Sequence, residues 1–113
     1  MNRIALFARS RNLKRIEEQL QRCRELAATK GLPWETASLF KDHGEGTPVA
    51  DCRPAYRELL NAIRAGRCDL VVTNELILLT PHIGEFADLW TFVRSGALRL
   101  LTVDGVDTGW LGQ

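Results

Sequence analysis

Short apolar runs alternate along this chain with longer segments in which apolar residues recur at helical spacing. The apolar runs have the length and residue types of single β-strands. Two of them, Ile4 to Phe7 and Leu70 to Thr73, are nearly continuous in apolar character, as strands buried on both faces are. The predicted strands are Ile4 to Phe7, Trp34 to Phe40, Asp69 to Asn74 and Leu98 to Val103.

The segments between the predicted strands have the pattern of amphipathic helices. Their apolar positions share one face of each helix. These positions are Leu13, Ile16, Leu20, Cys23 and Ala27, then Tyr56, Leu59, Leu60 and Ile63, then Ile83, Phe86, Trp90 and Val93.

Glycine and proline mark where these helices begin and end. The first helix should run to about Lys30, because Gly31 and then a proline follow. The second should begin near Arg53-Pro54 and end at Gly66, and the third should begin at Thr80-Pro81 and end at Gly96. The glycine-rich polar segment from residue 41 to residue 52 is predicted to be a mobile loop.

Alternating strands and helices predict a three-layer α/β domain with a mainly parallel sheet. No internal repeat or low-complexity linker interrupts the alternation, so residues 1–113 are predicted to form a single domain. Segments that directly follow strands would then meet at the carboxyl edge of the sheet, where open α/β folds bind their ligands.

Net charge narrows the functional classes only slightly. The formal charge is +1, so any affinity for nucleic acid must come from local patches rather than from the whole molecule. The most basic stretch lies between residues 9 and 24, where glutamates interrupt it, and this mixed charge favours a solvated helix face over a phosphate-binding one. Its basic residues are Arg9, Arg11, Lys14, Arg15, Arg22 and Arg24.

Cysteine and histidine usage predicts neither a metal site nor a disulfide framework. Cys23, Cys52 and Cys68 lack paired spacing and are predicted to be reduced thiols in a cytoplasmic protein. His43 and His82 are too far apart to indicate a metal, and no cofactor is predicted. No apolar run approaches the ~18 residues that span a bilayer, and no leader opens the chain, so we expect no membrane partner.

Several motifs occur in a characteristic order between Ile4 and Thr108. They are Ala5-Leu6-Phe7-Ala8-Arg9, Ile16-Glu17-Glu18-Gln19, Asp42-His43-Gly44-Glu45-Gly46-Thr47, Arg53-Pro54-Ala55-Tyr56 with Leu59-Leu60 and Ile63-Arg64-Ala65-Gly66, Asp69-Leu70-Val71-Val72, and Asp104-Gly105-Val106-Asp107-Thr108. In this order they resemble the N-terminal catalytic domain of serine recombinases, the resolvases and invertases with their phage and transposon relatives. The resemblance implies a flavodoxin-like sheet of four or five strands.

The resemblance also implies phosphoryl transfer on DNA, in which a serine hydroxyl attacks a phosphodiester and arginines stabilise the transition state. The family's serine lies two residues after the arginine that matches Arg9, and here that position is Arg11. Ser10 lies one residue earlier, and alternation along a strand would direct its hydroxyl away from the phosphate. The loop before Gln19 is about three residues shorter than in the family, so a shifted path that makes Ser10 a weak candidate nucleophile stays open. A serine that accepts bonds from backbone amides near a helix start is the other interpretation.

The family's Leu-Asp-Arg-Leu-x-Arg element supplies an aspartate and two arginines. Aligned on Leu76 and Leu79, the matching positions here are Ile77, Leu78 and Pro81, so all three polar groups are absent. Because such arginines can contribute ~10³ to 10⁵ in rate, their loss together with the nucleophile predicts that strand cleavage is lost.

Other family positions keep their polar residues. Arg9, Asp42 and Arg53 match positions in or beside the family's site, and with Arg11 they are the predicted phosphate-binding or DNA-binding residues. Surface solvation of Asp42 and a helix-start ion pair of Arg53 are the alternatives. Phe7 stands where the family has a tyrosine, which removes a hydroxyl.

Together these features predict a resolvase-like binding or regulatory module without strand cleavage. Its expected partners are DNA, held through a remnant of the phosphate site, and a second copy or another recombinase-like subunit. The chain ends at Gln113, before the family's long dimer helix and DNA-binding domain, so we expect neither, unless the sequence is a fragment. Two alternatives remain: an active recombinase domain that uses Ser10, which covalent attachment to DNA would reveal, and a structural scaffold that self-associates without binding DNA.

Overall fold

In the computed structural model, four parallel strands form one sheet in the order β2-β1-β3-β4. The structure describes residues 3–42, 54–79 and 83–109. The elements are β1 (Ile4–Arg9), α1 (Leu13–Thr29), a 3-10 turn (Trp34–Thr36), β2 (Ser38–Asp42), α2 (Pro54–Arg64), β3 (Leu70–Thr73), α3 (Leu76–Leu79), α4 (Ile83–Arg94) and β4 (Arg99–Thr102). The predicted three-layer α/β fold is confirmed, with four strands.

The sheet separates two apolar cores, because successive side chains of a strand point to opposite faces. Ala5 and Phe7 of β1 lie in the core that α2 covers, with Tyr56 and Leu59. The alternate residues of β1 lie in the core that α1 covers. The nearly continuous apolar character of the central strands follows from burial on both faces.

Local signals explain where α1 begins and ends. Asn12 is its N-cap, and the Asn12 side chain accepts a hydrogen bond from the backbone N–H of Lys14 at 2.9 Å. After Thr29 the chain turns through Gly31, whose φ of 71° is the left-handed conformation that glycine adopts readily. The predicted end near Lys30 is therefore correct to within one residue.

The second strand differs from its prediction. Trp34 to Thr36 form a 3-10 turn in which the N–H of Ala37 donates to the carbonyl of Trp34, and β2 begins only at Ser38. At its other end β2 extends to Asp42, so the first residues of the predicted loop are strand. The rest of that loop lies outside the described residues. The prediction failed because an aromatic residue has high strand propensity but packs equally well in a turn.

Smaller differences occur at the other elements. β1 continues to Arg9, whereas β3 and β4 are each shorter than predicted by one residue at each end. The structure adds the single-turn helix α3, and α4 starts at Ile83; the predicted cap at Thr80-Pro81 lies outside the described residues.

After β4 the chain folds back along the open edge of the sheet. The N–H of Leu100 donates to Thr108 Oγ1 at 2.8 Å, and the N–H of Thr108 donates to the Leu100 carbonyl at 3.0 Å. Asp107 forms a two-bond ion pair with Arg99, with distances of 3.1 and 3.0 Å. That pair lowers the pKa of Asp107 to about 2. The returning segment therefore occupies hydrogen-bonding groups that β4 would otherwise expose.

Among the described helices, none is both long and apolar enough to cross a membrane.

Candidate functional site

Arg9 and Asp42 end the two neighbouring strands β1 and β2, and they are in register at the carboxyl edge of the sheet. Arg9 follows Phe7 by two residues, so alternation places it on the face that α2 covers. Asp42 is only 2% exposed, and its carboxylate accepts hydrogen bonds from the backbone N–H groups of Ala55 at 3.0 Å and Tyr56 at 3.3 Å. Asp42 therefore caps the start of α2, and its interpretation as a solvated surface residue is wrong.

Ser10 continues the pairing of β1 with β2 for one further residue. Its N–H donates to the carbonyl of Asp42 at 3.1 Å. Its Oγ accepts a hydrogen bond from the N–H of Asn12 at 3.1 Å, which joins the end of β1 to the N-cap of α1. Alternation places Ser10 on the face opposite to Arg9, while Arg11 is exposed in the bend that follows.

Gln19 binds both backbone groups of Arg9. Its Oε1 accepts from the N–H of Arg9 at 2.9 Å, and its Nε2 donates to the Arg9 carbonyl at 3.0 Å. Because Ser10 pairs with β2, the N–H and C=O of Arg9 point to the other side of β1, toward β3. The Gln19 amide therefore supplies the two hydrogen bonds that two residues of a neighbouring parallel strand would supply there, beyond the end of β3 at Thr73.

Asn74, the residue after β3, connects that strand to the same helix. Its Nδ2 donates to the carbonyl of Gln19 at 2.9 Å and lies 3.6 Å from the Sγ of Cys23. Cys23 Sγ in turn lies 3.6 Å from the Val72 carbonyl, and burial raises the pKa of the Cys23 thiol to about 12. The ends of β1 and β3 are thus held against one position of α1.

The two cysteines that the structure describes, Cys23 and Cys68, are buried free thiols. Burial raises the pKa of the Cys68 thiol to about 11. Thiols with such pKa values are protonated at neutral pH and are poor nucleophiles and poor metal ligands. Within residues 3–42, 54–79 and 83–109, no cluster of three or more His, Cys, Asp or Glu residues could hold a metal ion.

The face that α2 covers is closed by aromatic packing close to this edge. Phe7 is fully buried and meets Tyr56 edge to face, with 6.5 Å between ring centroids and 79° between ring planes. Thr73, at the end of β3, lies on the same face as Val71. Its Oγ1 is buried and has no hydrogen-bond partner in the described part of the chain.

The second motif forms the short helix α3 directly after β3. Leu79 is fully buried in the core under α2, whereas Ile77 is 62% exposed. Ile77 and Leu78, which were predicted to match the family's aspartate and first arginine, are apolar residues of this helix. The third matching position, Pro81, lies outside the described residues.

Several other residues named in the sequence analysis also lie outside the described residues, namely Arg53, His43, His82 and Cys52. Trp90 is half-buried and packs against the core of Phe7 and Tyr56, so its interpretation as a core residue is confirmed. The structure thus brings Arg9 and Asp42 together and places Ser10 on the other face of the same strand.

Sequence reasoning missed the contributions of Gln19, Asn74 and Thr73 to this edge. Gln19 belongs to one of the quoted motifs, but the motif gave no indication that its amide binds the backbone of Arg9. The sequence could have indicated Asn74 and Thr73, because polar residues at the end of an apolar strand lie at the carboxyl edge of the sheet.

A sequence model of the family described as "Resolvase, N terminal domain" matches residues 7–109. Among solved structures, the N-terminal catalytic domain of TP901-1 integrase is similar with a TM-score of 0.71 and 19% identity, over 97% of this chain and 88% of that one. The C-terminal catalytic domain of ISC1926 TnpA, an IS607-like serine recombinase, is similar with a TM-score of 0.72 and 18% identity, over 92% of this chain and 71% of that one. No curated protein matches the chain significantly. At these identities the structural similarity concerns the fold, but the family match covers most of the sequence, and the chain therefore belongs to the resolvase N-terminal domain family.

Proposed function

We propose that this resolvase-family domain binds DNA phosphates at the carboxyl edge of its sheet without cutting the strand. The observation that carries the proposal is the environment of Ser10. Its hydroxyl accepts a hydrogen bond from the backbone N–H of Asn12, and alternation places it on the face opposite to Arg9. A nucleophile must approach the phosphorus that the arginine holds, and this arrangement separates the two groups.

The composition of α3 supports the same proposal. An exposed isoleucine and a leucine stand at two positions where the family has an aspartate and an arginine. Neither side chain can hold a leaving oxygen or neutralise charge that develops on the phosphate. Removal of one such arginine lowers phosphoryl-transfer rates by ~10³ to 10⁵. A chain without it should therefore cleave DNA very slowly.

The start of α1 supports binding. The first turn of this helix contains no acidic residue, and it contains Lys14 and Arg15, which are exposed, as is the preceding Arg11. Basic side chains beside the positive end of a helix dipole raise the local potential, and a phosphate placed there lowers it. Arg9 at the end of β1 adds a fourth positive charge at the same edge.

Asp42 restricts where a phosphate can bind. Its carboxylate already occupies the backbone N–H groups of Ala55 and Tyr56 at the start of α2. The carboxylate of Asp42 therefore already satisfies the start of α2, and the beginning of α1, where Arg11 is exposed, is the better phosphate site.

Cleavage is tested by incubation with supercoiled plasmid, followed by detergent and a gel that detects nicks and protein joined covalently to DNA. We expect neither product. A covalent product that disappears in Ser10→Ala would overturn the non-cutting proposal and make Ser10 the nucleophile of an active recombinase domain.

Binding is tested with a labelled DNA duplex at a series of salt concentrations. Because each phosphate contact contributes ~0.9 to the slope of log K against log salt, Arg11→Ala should weaken binding and reduce that slope by about 1. Arg94→Ala is the matched control, since Arg94 is exposed in the last turn of α4, at the opposite edge of the sheet. Equal losses in the two variants, or no binding at low salt, would contradict a phosphate site at the carboxyl edge.

A further inference from the structure

The strand β2 lies at one edge of the sheet, and its outer side carries hydrogen-bonding groups that have no partner among residues 3–42, 54–79 and 83–109. The carbonyl of Asp42 faces β1, because it accepts the N–H of Ser10, so the N–H and C=O groups of Leu39 and Lys41 face outward. Within the described part of the chain these outward groups have no hydrogen-bond partner. Such an edge is a template for another strand.

The usual devices that block a strand edge are weak here. β2 contains no proline. Its one basic side chain, Lys41, pairs with Glu17 of the same molecule at 3.3 Å, which reduces the repulsion that it would exert on an approaching strand. Leu39 is 44% exposed on the α1 side of the strand. As far as the structure describes the chain, the edge is therefore both unpaired and partly apolar.

A groove runs beside this edge between β2 and α2. It is lined by Ser38, Phe40, Glu58, Ala62, Arg67 and Cys68. Phe40 is half-buried, and its side chain packs against the core under α2. A strand added to β2 would place every second side chain over this groove.

The charges of the groove favour a second copy in the antiparallel direction. α2 starts at the carboxyl edge, where Asp42 caps it, and runs back toward the start of β2, so Glu58 lies nearer the carboxyl edge than Arg67 does. A two-fold axis through Phe40 reverses this order in the partner. Each Glu58 then lies toward the Arg67 end of the other groove, and the interface has complementary charge on both sides.

The same two-fold axis also gives hydrogen-bond partners to the outward backbone groups of β2. With Phe40 opposite Phe40 of the second copy, Leu39 of each chain lies opposite Lys41 of the other, and the outward N–H and C=O groups of both residues bond in pairs. The two phenylalanines form an aromatic cross-strand pair over the groove.

We propose that two copies of this chain associate through antiparallel pairing of their β2 strands, which gives one continuous eight-stranded sheet. This inference goes beyond the proposed DNA binding and does not depend on it, because the β2 edge carries none of the predicted phosphate-binding arginines. A contact made from one short strand pair is small, so we expect a dissociation constant of about 10 µM or weaker.

Cysteine cross-linking tests the register. In a Cys52→Ser background, Phe40→Cys should give a disulfide-linked dimer under mild oxidation, because directly opposed non-hydrogen-bonded residues have Cα atoms ~4.5 Å apart. Ser38→Cys is the matched control on the same face, and the proposed register separates its two copies by ~13 Å along the strands. Equal yields at the two positions, or none at Phe40→Cys in a folded protein, would overturn the proposal.

Sedimentation of the DNA-free protein tests the association without altering the Phe40 packing. Leu39→Pro removes an outward N–H and leaves the bonds to β1 intact, whereas Leu39→Ala keeps that N–H. Wild type and Leu39→Ala should show concentration-dependent dimers, and Leu39→Pro should weaken the dimer at least tenfold. A wild-type chain that stays monomeric up to about 500 µM, or a proline variant that dimerises equally well, would refute pairing through β2.

Discussion

Gln19→Glu replaces one NH₂ group by oxygen at the point where α1 holds the end of β1. The carboxylate can still accept the N–H of Arg9, but it cannot donate to the Arg9 carbonyl 3.0 Å away. The lost hydrogen bond and the repulsion between the carboxylate oxygen and the Arg9 carbonyl oxygen should lower the free energy of unfolding by ~2 to 3 kcal/mol at neutral pH. The reason is that the half-buried carbonyl is left without its donor. Attraction from Arg15 and Arg22, which line the same surface depression as Gln19, offsets about 0.5 kcal/mol each. We therefore expect a net loss of ~1 to 2 kcal/mol.

The pH dependence separates this mechanism from a general defect of the helix. Contact with the Arg9 carbonyl should raise the folded-state pKa of the new glutamate above its unfolded value of ~4.3. A protonated glutamate can donate as the amide does. The deficit should therefore be nearly absent below about pH 4 and should grow as pH rises through the folded-state pKa, over a window of about pH 4 to 6. Urea unfolding of the variant and the wild type across this range measures it.

Gln21→Glu provides the control for the same substitution on the same helix. Gln21 is exposed and its amide contacts Glu25 at 3.3 Å, so the change should cost no more than about 0.5 kcal/mol. If Gln19→Glu were as stable as this control at pH 7, or if its deficit did not change with pH, the amide of Gln19 would not act as a substitute for a strand residue.

Three further predictions concern the caps and ion pairs of the fold. Asp42→Ala should destabilise the domain by about 2 kcal/mol in urea unfolding, because two backbone amides at the start of α2 lose their acceptor; unchanged stability would contradict the cap. Gly109→Ala should weaken the Arg99–Asp107 pair, since a Cβ at residue 109 would lie 2.6 Å from Arg99 Nε, and NMR titration should find the pKa of Asp107 closer to its ordinary value than about 2. The lowered pKa of Asp107 contributes stability that is present above its unfolded-state value and is lost as pH falls from about 4 to about 2. Solvent screening of this partly exposed pair limits that contribution to about 1 kcal/mol or less, and Asp107→Asn should abolish it.

The sequence predicted the layers of the fold because strand and helix periodicities here are strong and agree with the glycine and proline signals. The strand at Trp34 was the exception, because local propensity could not distinguish an aromatic residue in a strand from one in a turn. The turn after Pro33 depends on backbone angles and on the hydrogen bond from the N–H of Ala37 to the carbonyl of Trp34. Neither produces a periodic pattern in the sequence.

The site was less predictable, because its contacts join residues that are distant in sequence. Asp42 was predicted to lie in the loop after the second strand, and its role as the cap of α2 depends on where that helix begins after the loop. Gln19 reaches Arg9 only because α1 is rotated so that the Gln19 amide points at the end of β1. Asn74 contacts a helix 55 residues earlier in the chain, a relation that strand and helix patterns do not contain.

The amide of Gln19 also has a consequence for sequence change in this family member. Because the Gln19 side chain of α1 bonds both backbone groups of Arg9, the end of the central strand is held by α1. Ile77 can then be exchanged without disturbing the sheet, provided that Leu79 stays in the core. An exposed position of this kind accepts charged and apolar side chains at similar stability, so the scaffold does not dictate which residue stands at position 77.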